Sequence, residues 1–143
     1  MDKKIIFLDI DGTLVTDDGW VPSSAADACR QARLNGHEIY LCTGRSKPEI
    51  YDFIMEIGFD GIIGAGGGFV ELNDGMLYHK TVPASEVRRM VDFFDQHGVD
   101  FYLESNGGLF ASKNFLPHVE RCIYGDIAND PDARRRKEEQ PHP

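Results

Sequence analysis

The sequence predicts an α/β fold: a parallel sheet carrying helices, followed by the opening of an α+β unit. Three observations predict it. Short apolar runs at 4–10, 38–42 and 61–64 alternate with segments of helical period, giving βαβαβ with short connections. The first two runs each end in a polar turn, Asp9-Ile10-Asp11-Gly12-Thr13 and Thr43-Gly44-Arg45. In open parallel sheets that carboxyl end is where ligands bind. Beyond Gly64 the texture changes to hairpin signals and alternating segments.

Taken in order, Lys4 to Ile10 is nearly continuous apolar and reads as a buried strand. Gly12 to Val21 is a loop holding the turn signal Asp17-Asp18-Gly19. A helix starts at Pro22-Ser23-Ser24 with a serine as its expected N-cap. Ala25, Cys29 and Ala32 share one face of it, and Gly36 ends it. Glu38 to Cys42 is a second buried strand. Ser46-Lys47-Pro48-Glu49 is a capping box opening a helix with Ile50, Phe53, Ile54 and Ile57 on one stripe and Gly58 at its end. Gly61 to Gly64 is a third strand. Ala65-Gly66-Gly67-Gly68 reads as a flexible link, and Phe69–Leu72 and Met76–His79 flank Asn73-Asp74-Gly75 as a hairpin. A helix from Ala84 to His97 carries Val87, Met90, Val91 and Phe94 on one stripe, and Val99–Glu104 turns at Ser105–Gly108 into Leu109–Ala111. From Asn129 the chain has little apolar content. The basic run Arg134 to Lys137 reads as an exposed helix end or solvated tail, with nucleic-acid contact as the alternative.

Composition narrows the classes. With 143 residues, 41% of them hydrophobic, the chain holds one domain or one and a fraction. A net charge of −9 repels nucleic acid; a phosphorylated metabolite remains compatible if a metal and local donors offset the charge. Cys29, Cys42 and Cys122 are odd in number and widely spaced, which fits a reducing cytoplasm and gives no zinc or disulfide pattern. Cys29 and Cys42 are expected to be packing residues. The run Ile5–Leu8 is too short for the roughly 7–15 apolar residues of a signal peptide, and no stretch approaches the ~20 of a membrane span.

The first motif carries the chemistry. An Asp at the end of a buried strand can attack a phosphate monoester and form an aspartyl-phosphate. Asp11, two residues on, can protonate the leaving oxygen and later activate water. Asp9 can also bind Mg²⁺, which offsets the repulsion between carboxylate and phosphate. Gly12 lets backbone amides approach phosphoryl oxygens. The plain alternative is an exposed turn with two solvated acids. For Thr43 it is an N-cap or a Ser/Thr turn, and for Arg45 a surface ion pair.

Asp9-Ile10-Asp11-Gly12-Thr13-Leu14 resembles the first motif of the haloacid dehalogenase (HAD) superfamily, mostly Mg²⁺-dependent phosphatases. Leu41-Cys42-Thr43-Gly44-Arg45 resembles the second motif in the form of the Cof-type sugar phosphatases, subfamily IIB. The resemblance implies a Rossmann-like HAD core with Asp9 as nucleophile and Asp11 as acid/base. It implies Mg²⁺ on the Asp9 carboxylate and the Asp11 backbone carbonyl. It places the Thr43 hydroxyl on a phosphoryl oxygen, with Gly12, Gly44 and Arg45 beside the substrate. The loop from Gly12 to Val21 would be the flap. The Asn-Gly pair that usually follows the third strand is replaced by Ala65-Gly66-Gly67-Gly68.

The match covers residues 1 to about 112. The expected organisation is an N-terminal part of the core at 1–82, a partial α/β cap at 83–128 and a polar tail at 129–143. The family's third-motif Lys and a fourth motif resembling Gly-Asp-x-x-Asn-Asp should follow. Gly125-Asp126-Ile127-Ala128-Asn129-Asp130 fits the letters, but Val119–Tyr124 is polar where a buried strand should be, and a charged segment follows. Lys80 lies too far from it and Lys113 too near. A fortuitous match is the favoured reading.

The expectation is a phosphatase of small phosphorylated metabolites such as sugar phosphates, with this chain an inactive or weak fragment. A compact, complete enzyme using Asp126 and Asp130, or a non-catalytic phosphate- or partner-binding fragment, are the alternatives. A response-regulator receiver has its acidic pair ahead of the phosphorylated Asp, which does not suit this spacing. The truncated sheet leaves an open edge, which invites homodimerisation or complementation by a missing half.

Overall fold

The computed structural model describes residues 2–139. The chain divides into two units: residues 2–82 with the turn Ser105–Gly108, and residues 83–104 with 109–139.

In the first unit, β1 (Ile5–Leu8), β2 (Glu38–Cys42) and β3 (Gly61–Gly64) form a parallel sheet, extended by the antiparallel hairpin β4 (Phe69–Leu72) and β5 (Gly75–His79). The strand order is β1-β2-β3-β4-β5. The connections are α1 (Ser23–Leu34) and, between β2 and β3, a 3-10 turn at Lys47–Glu49 followed by α2 (Asp52–Met55). The parallel sheet read from the sequence is present, and this is an α/β, Rossmann-like core.

Both crossovers step in the same direction across the sheet. Right-handed crossovers then put both helices on one face. The core forms there: Ile39, Leu41 and Ile62 from the strands meet Ala26 and Cys29 of α1 and Ile54 and Ile57 around α2. This corrects the reading of β1 as fully buried. Ile6 and Leu8 pack against the core, while Ile5 and Phe7 on the other face are 57% and 61% exposed. Cys42 is exposed rather than packed, for the same reason; Cys29 is buried as expected.

Two further expectations shift. No Ser side chain caps α1, whose N-cap position is Pro22. The second helix is not continuous: Ile50 (φ −91°, ψ 100°) and Tyr51 are extended, leaving a 3-10 turn and a single short helix. Ile50, Ile54 and Ile57 are still buried, so the apolar period marked core contact rather than one helix. The expected capping box is there, with the Ser46 N–H and Oγ–H both donating to Glu49 Oε2 at 2.8 and 2.7 Å.

A carboxylate clamp ties the connections together. Asp60, just before β3, accepts from Arg33 of α1 through Nε and Nη2 (3.1 and 3.0 Å) and from the Ile39 N–H of β2 (2.8 Å).

In the second unit, α3 (Ala84–His97) ends on Gly98 in the left-handed region (φ 62°). The hairpin β6 (Tyr102–Ser105) and β7 (Gly108–Ala111) forms a two-stranded sheet, followed by α4 (Phe115–Tyr124) and α5 (Pro131–Glu139). Phe94 of α3 packs on Phe101. The basic run lies on α5 and is paired: Arg136 donates to the Tyr124 carbonyl (2.8 Å), Lys137 to Glu120 (2.5 Å), and Arg135 pairs with Asp132. No helix among the described residues is long and apolar enough to cross a membrane.

Candidate active site

The site is built by strand register. Leu8 is paired with Leu41, and Cys42 with Ile63. The turns that leave β1, β2 and β3 therefore emerge side by side at the carboxyl end of the sheet. Asp9 leaves β1 there, Thr43 leaves β2, and Ala65 leaves β3. Backbone bonds hold the turns after β2 and β3 together: the Thr43 N–H donates to the Ile63 carbonyl (2.9 Å), Ala65 N–H to the Arg45 carbonyl (2.8 Å) and Gly66 N–H to the Thr43 carbonyl (3.2 Å). The glycine run Ala65-Gly66-Gly67-Gly68 is thus a short 3-10 turn that braces the second motif. Gly66 sits in the left-handed region (φ 60°), a conformation that asparagine also tolerates.

The two acids are placed in contrasting surroundings. The Asp9 carboxylate is exposed and has no hydrogen bond or ion pair among the described residues. Asp11 is gripped by Arg45, whose Nε and Nη2 reach its two oxygens at 3.0 and 2.6 Å. That fork holds the Asp11 carboxyl below the usual carboxylate range. Arg45 is itself fixed: Nη1 donates to the Glu49 carbonyl (2.8 Å), and the guanidinium lies 5.4 Å from the Tyr51 ring centroid.

Around them, the loop closes on itself. Gly12 takes φ 72°, and its N–H donates to the Val15 carbonyl (3.1 Å). Its role in this conformation is to make the turn rather than to offer a free amide. Thr43 is buried (5% exposed), and its Oγ1 accepts from the Arg45 N–H at 3.1 Å, a Ser/Thr turn that leaves the hydroxyl proton free to donate elsewhere. Gly44 is exposed beside it. Farther along the loop, the turn at Asp17-Asp18-Gly19 closes through Thr16 N–H to the Trp20 carbonyl (2.9 Å) and Gly19 N–H to the Thr16 carbonyl (2.9 Å).

The sequence left Arg45 open between a surface ion pair and a substrate contact. It is the partner of Asp11, a pairing across 34 positions that no local pattern signals. Asp126, in the second unit, follows a helix rather than a strand. Its carboxylate accepts from the Asn129 side chain (2.8 Å), which holds its pKa low. Among the described residues no three His, Cys, Asp or Glu side chains are grouped to hold a metal ion.

The sequence profile of the haloacid dehalogenase-like hydrolases matches residues 6–142, and the chain belongs to that family. Among curated relatives it is 31% identical over 132 residues to YkrA of Bacillus subtilis (strain 168), whose name assigns it provisionally to the phosphatases; the match covers 91% of this chain and 50% of YkrA. It is 24% identical over 113 residues to Phosphatase YwpJ of the same organism, covering 78% of this chain and 40% of YwpJ. Among solved structures, the subclass IIB sugar phosphatase BT4131 superposes with a TM-score of 0.58 at 30% identity, over 76% of this chain and 43% of that one. A hypothetical protein from Geobacillus kaustophilus HTA426 superposes with a TM-score of 0.76 at 24% identity, over 85% and 48%, which shows the shared fold. The chain spans about half the length of these relatives or less.

Proposed function

We propose that the first unit is the nucleophile-bearing half of a phosphatase site for small phosphorylated metabolites, sugar phosphates among them. The observation that carries this is the contrast between the acids: Asp9 is exposed and has no partner among the described residues, while Asp11 is held by Arg45. An Asp9 oxygen would attack phosphorus, forming the acyl phosphate as the leaving oxygen departs with a proton. Water would then release inorganic phosphate and regenerate the carboxylate. Thr43 would donate its free hydroxyl proton to a phosphoryl oxygen, with Gly12 and Gly44 leaving room for it. As held by Arg45, Asp11 is a carboxylate, the form that takes a proton from the attacking water at Oδ. Giving a proton to the leaving group requires the Arg45 fork to loosen.

The donor set fits a hard cation. An exposed carboxylate with no competing partner and a backbone carbonyl two residues on are oxygen ligands, and Mg²⁺ is commonly held by one or two carboxylates plus water. Asp9 and the Asp11 carbonyl would hold it. When bound, Mg²⁺ offsets the repulsion between carboxylate and phosphate dianion.

The expected behaviour of the purified chain is weak hydrolysis of p-nitrophenyl phosphate with Mg²⁺, because losing one preorganised charged group in such a site often costs ~10²–10³ in rate. Robust turnover abolished by Asp9→Asn would overturn the half-site reading. Turnover unchanged by Asp9→Asn would overturn Asp9 as the nucleophile. A non-catalytic phosphate-binding role is the second reading, favoured by the ionised, clamped Asp11. It requires phosphate binding by calorimetry without any turnover.

A further inference from the structure

The second unit carries a histidine held in the way that metal-bound histidines are held. Asp100, just before β6, accepts from two side chains: the Ser112 Oγ–H reaches Oδ1 at 3.2 Å, and His118 Nδ1 reaches Oδ2 at 2.9 Å. Ser112 is fixed in turn, because its Oγ accepts from the Phe101 N–H (3.1 Å). A carboxylate only accepts, so in the neutral imidazole Nδ1 carries the proton and Nε2 carries the lone pair. Nε2 has no partner among the described residues. A carboxylate that fixes the tautomer and leaves the other ring nitrogen unprotonated is the contact that orients a histidine toward a metal and raises its basicity.

One turn further along α4 stands Cys122, a free and exposed thiol with no partner among the described residues. Side chains four residues apart on a helix share a face, with about 5–6 Å between their Cβ atoms. His118 and Cys122 line one open groove of about 430 Å³, together with Asp100 and the apolar Val99, Phe115 and Val119. Every part of this arrangement lies within residues 98–122.

We propose that His118 Nε2 and Cys122 Sγ form a two-ligand site for a thiophilic divalent cation, Zn²⁺ foremost, independent of the phosphatase reading. Water completes the tetrahedron. Asp100 is not a third ligand, since both its oxygens are engaged; it stands behind the histidine and sets its tautomer. Binding deprotonates the thiol and releases that proton to solvent. The site is chemically distinct from Asp9 and the Asp11 carbonyl: imidazole with thiolate selects Zn²⁺, whereas an all-oxygen set suits Mg²⁺.

Titration of the reduced chain with Co²⁺ at neutral pH, then with Zn²⁺ in competition, tests it. The expected result is one Co²⁺ bound through sulfur, seen as a thiolate-to-cobalt charge-transfer band in the near ultraviolet. Zn²⁺ should bleach that band with a dissociation constant on the order of 10 µM, far weaker than a four-ligand structural zinc, and excess Mg²⁺ should not. Cys122→Ser should abolish the band. Cys42→Ser, which removes the other exposed thiol, should leave it, and so should Asp9→Asn, which keeps this test separate from that of the phosphatase site. Asp100→Ala should weaken Zn²⁺ binding about 10–100-fold. His118→Gln and Cys122→Ser change exposed side chains and keep the test decisive if Asp100→Ala fails to fold. Absence of the band overturns the proposal. So does a band that survives Cys122→Ser or is lost with Cys42→Ser, and so does Zn²⁺ affinity indifferent to His118→Gln. A stoichiometry of one ion per two chains, with dimerisation by sedimentation, overturns the single-chain site.

Discussion

Asp60 ties three connections of the first unit together, and replacing it gives a quantitative test. Its carboxylate joins the last turn of α1 to the start of β2, just before β3 begins. The side chains are 34% exposed for Arg33 and 20% for Asp60, so the pair is partly screened. A charge-assisted hydrogen bond at such a site is worth about 1.5–3 kcal/mol, and the exposure of Arg33 argues for the lower end. Asp60→Ala also strips the partner from the N–H of Ile39, a residue 2% exposed, at a further cost of about 1–3 kcal/mol. The sum is about 3 kcal/mol, a large part of the 5–15 kcal/mol typical of a domain. Asp60→Asn keeps an acceptor for Ile39 and should cost about 1–1.5 kcal/mol.

The pH dependence follows from the sign of the shift. Burial pushes the Asp60 carboxyl up, but the Arg33 and Ile39 bonds outweigh it and hold it below its ordinary value. A lowered folded pKa gives stability that is fully present above the unfolded value, near 3.9, and is lost as pH falls through the folded value. Urea unfolding at pH 7 should therefore show a midpoint lower by about 1–3 M for Asp60→Ala. The gap between wild type and Asp60→Asn should narrow as pH drops below about 4. A loss under about 0.5 kcal/mol for Asp60→Ala, or a gap constant with pH, would refute the clamp.

Two other substitutions probe the site. In a double-mutant cycle, Arg45→Met and Asp11→Asn should couple by about 1 kcal/mol in urea unfolding at pH 7, the upper range for an exposed but bidentate pair; additive effects would show that the fork contributes nothing. At Gly64, an added Cβ would collide with the ring of Phe69, which is 1% exposed, and press on the Arg45 carbonyl at 3.2 Å. Gly64→Ala should cost about 1–3 kcal/mol by thermal melting, and a melting point within error of wild type would refute that packing.

The strands were legible because each is a short β-prone run bounded by turn residues. Glu38–Cys42 and Gly61–Gly64 have the limits that their composition suggests, and Asn73-Asp74-Gly75 marks the hairpin. What the sequence hid depends on tertiary direction. Ile5 and Phe7 look like core residues, and only the order β1-β2-β3, with both crossovers on one face, shows that α1 and α2 lie on the other side of the sheet from them. The spacing Ile50, Phe53, Ile54, Ile57 matches a helix, yet Ile50 and Tyr51 are extended. A periodic stripe records which residues reach the core, and a 3-10 turn followed by one short helix reaches it as well as a continuous helix does.

At the candidate site the residue types were legible, but not their electrostatic state. Asp9 and Asp11 are two positions apart and identical as letters. They differ because one leaves the strand into open space, while the other meets a guanidinium supplied from 34 positions away. That guanidinium is aimed by the Glu49 carbonyl and backed by Tyr51, both beyond the Thr-Gly-Arg motif. A motif names candidate groups, and strand register brings them together. Which of the two carboxylates stands unpaired among the described residues, and which is held ionised, is decided by the turn after β2.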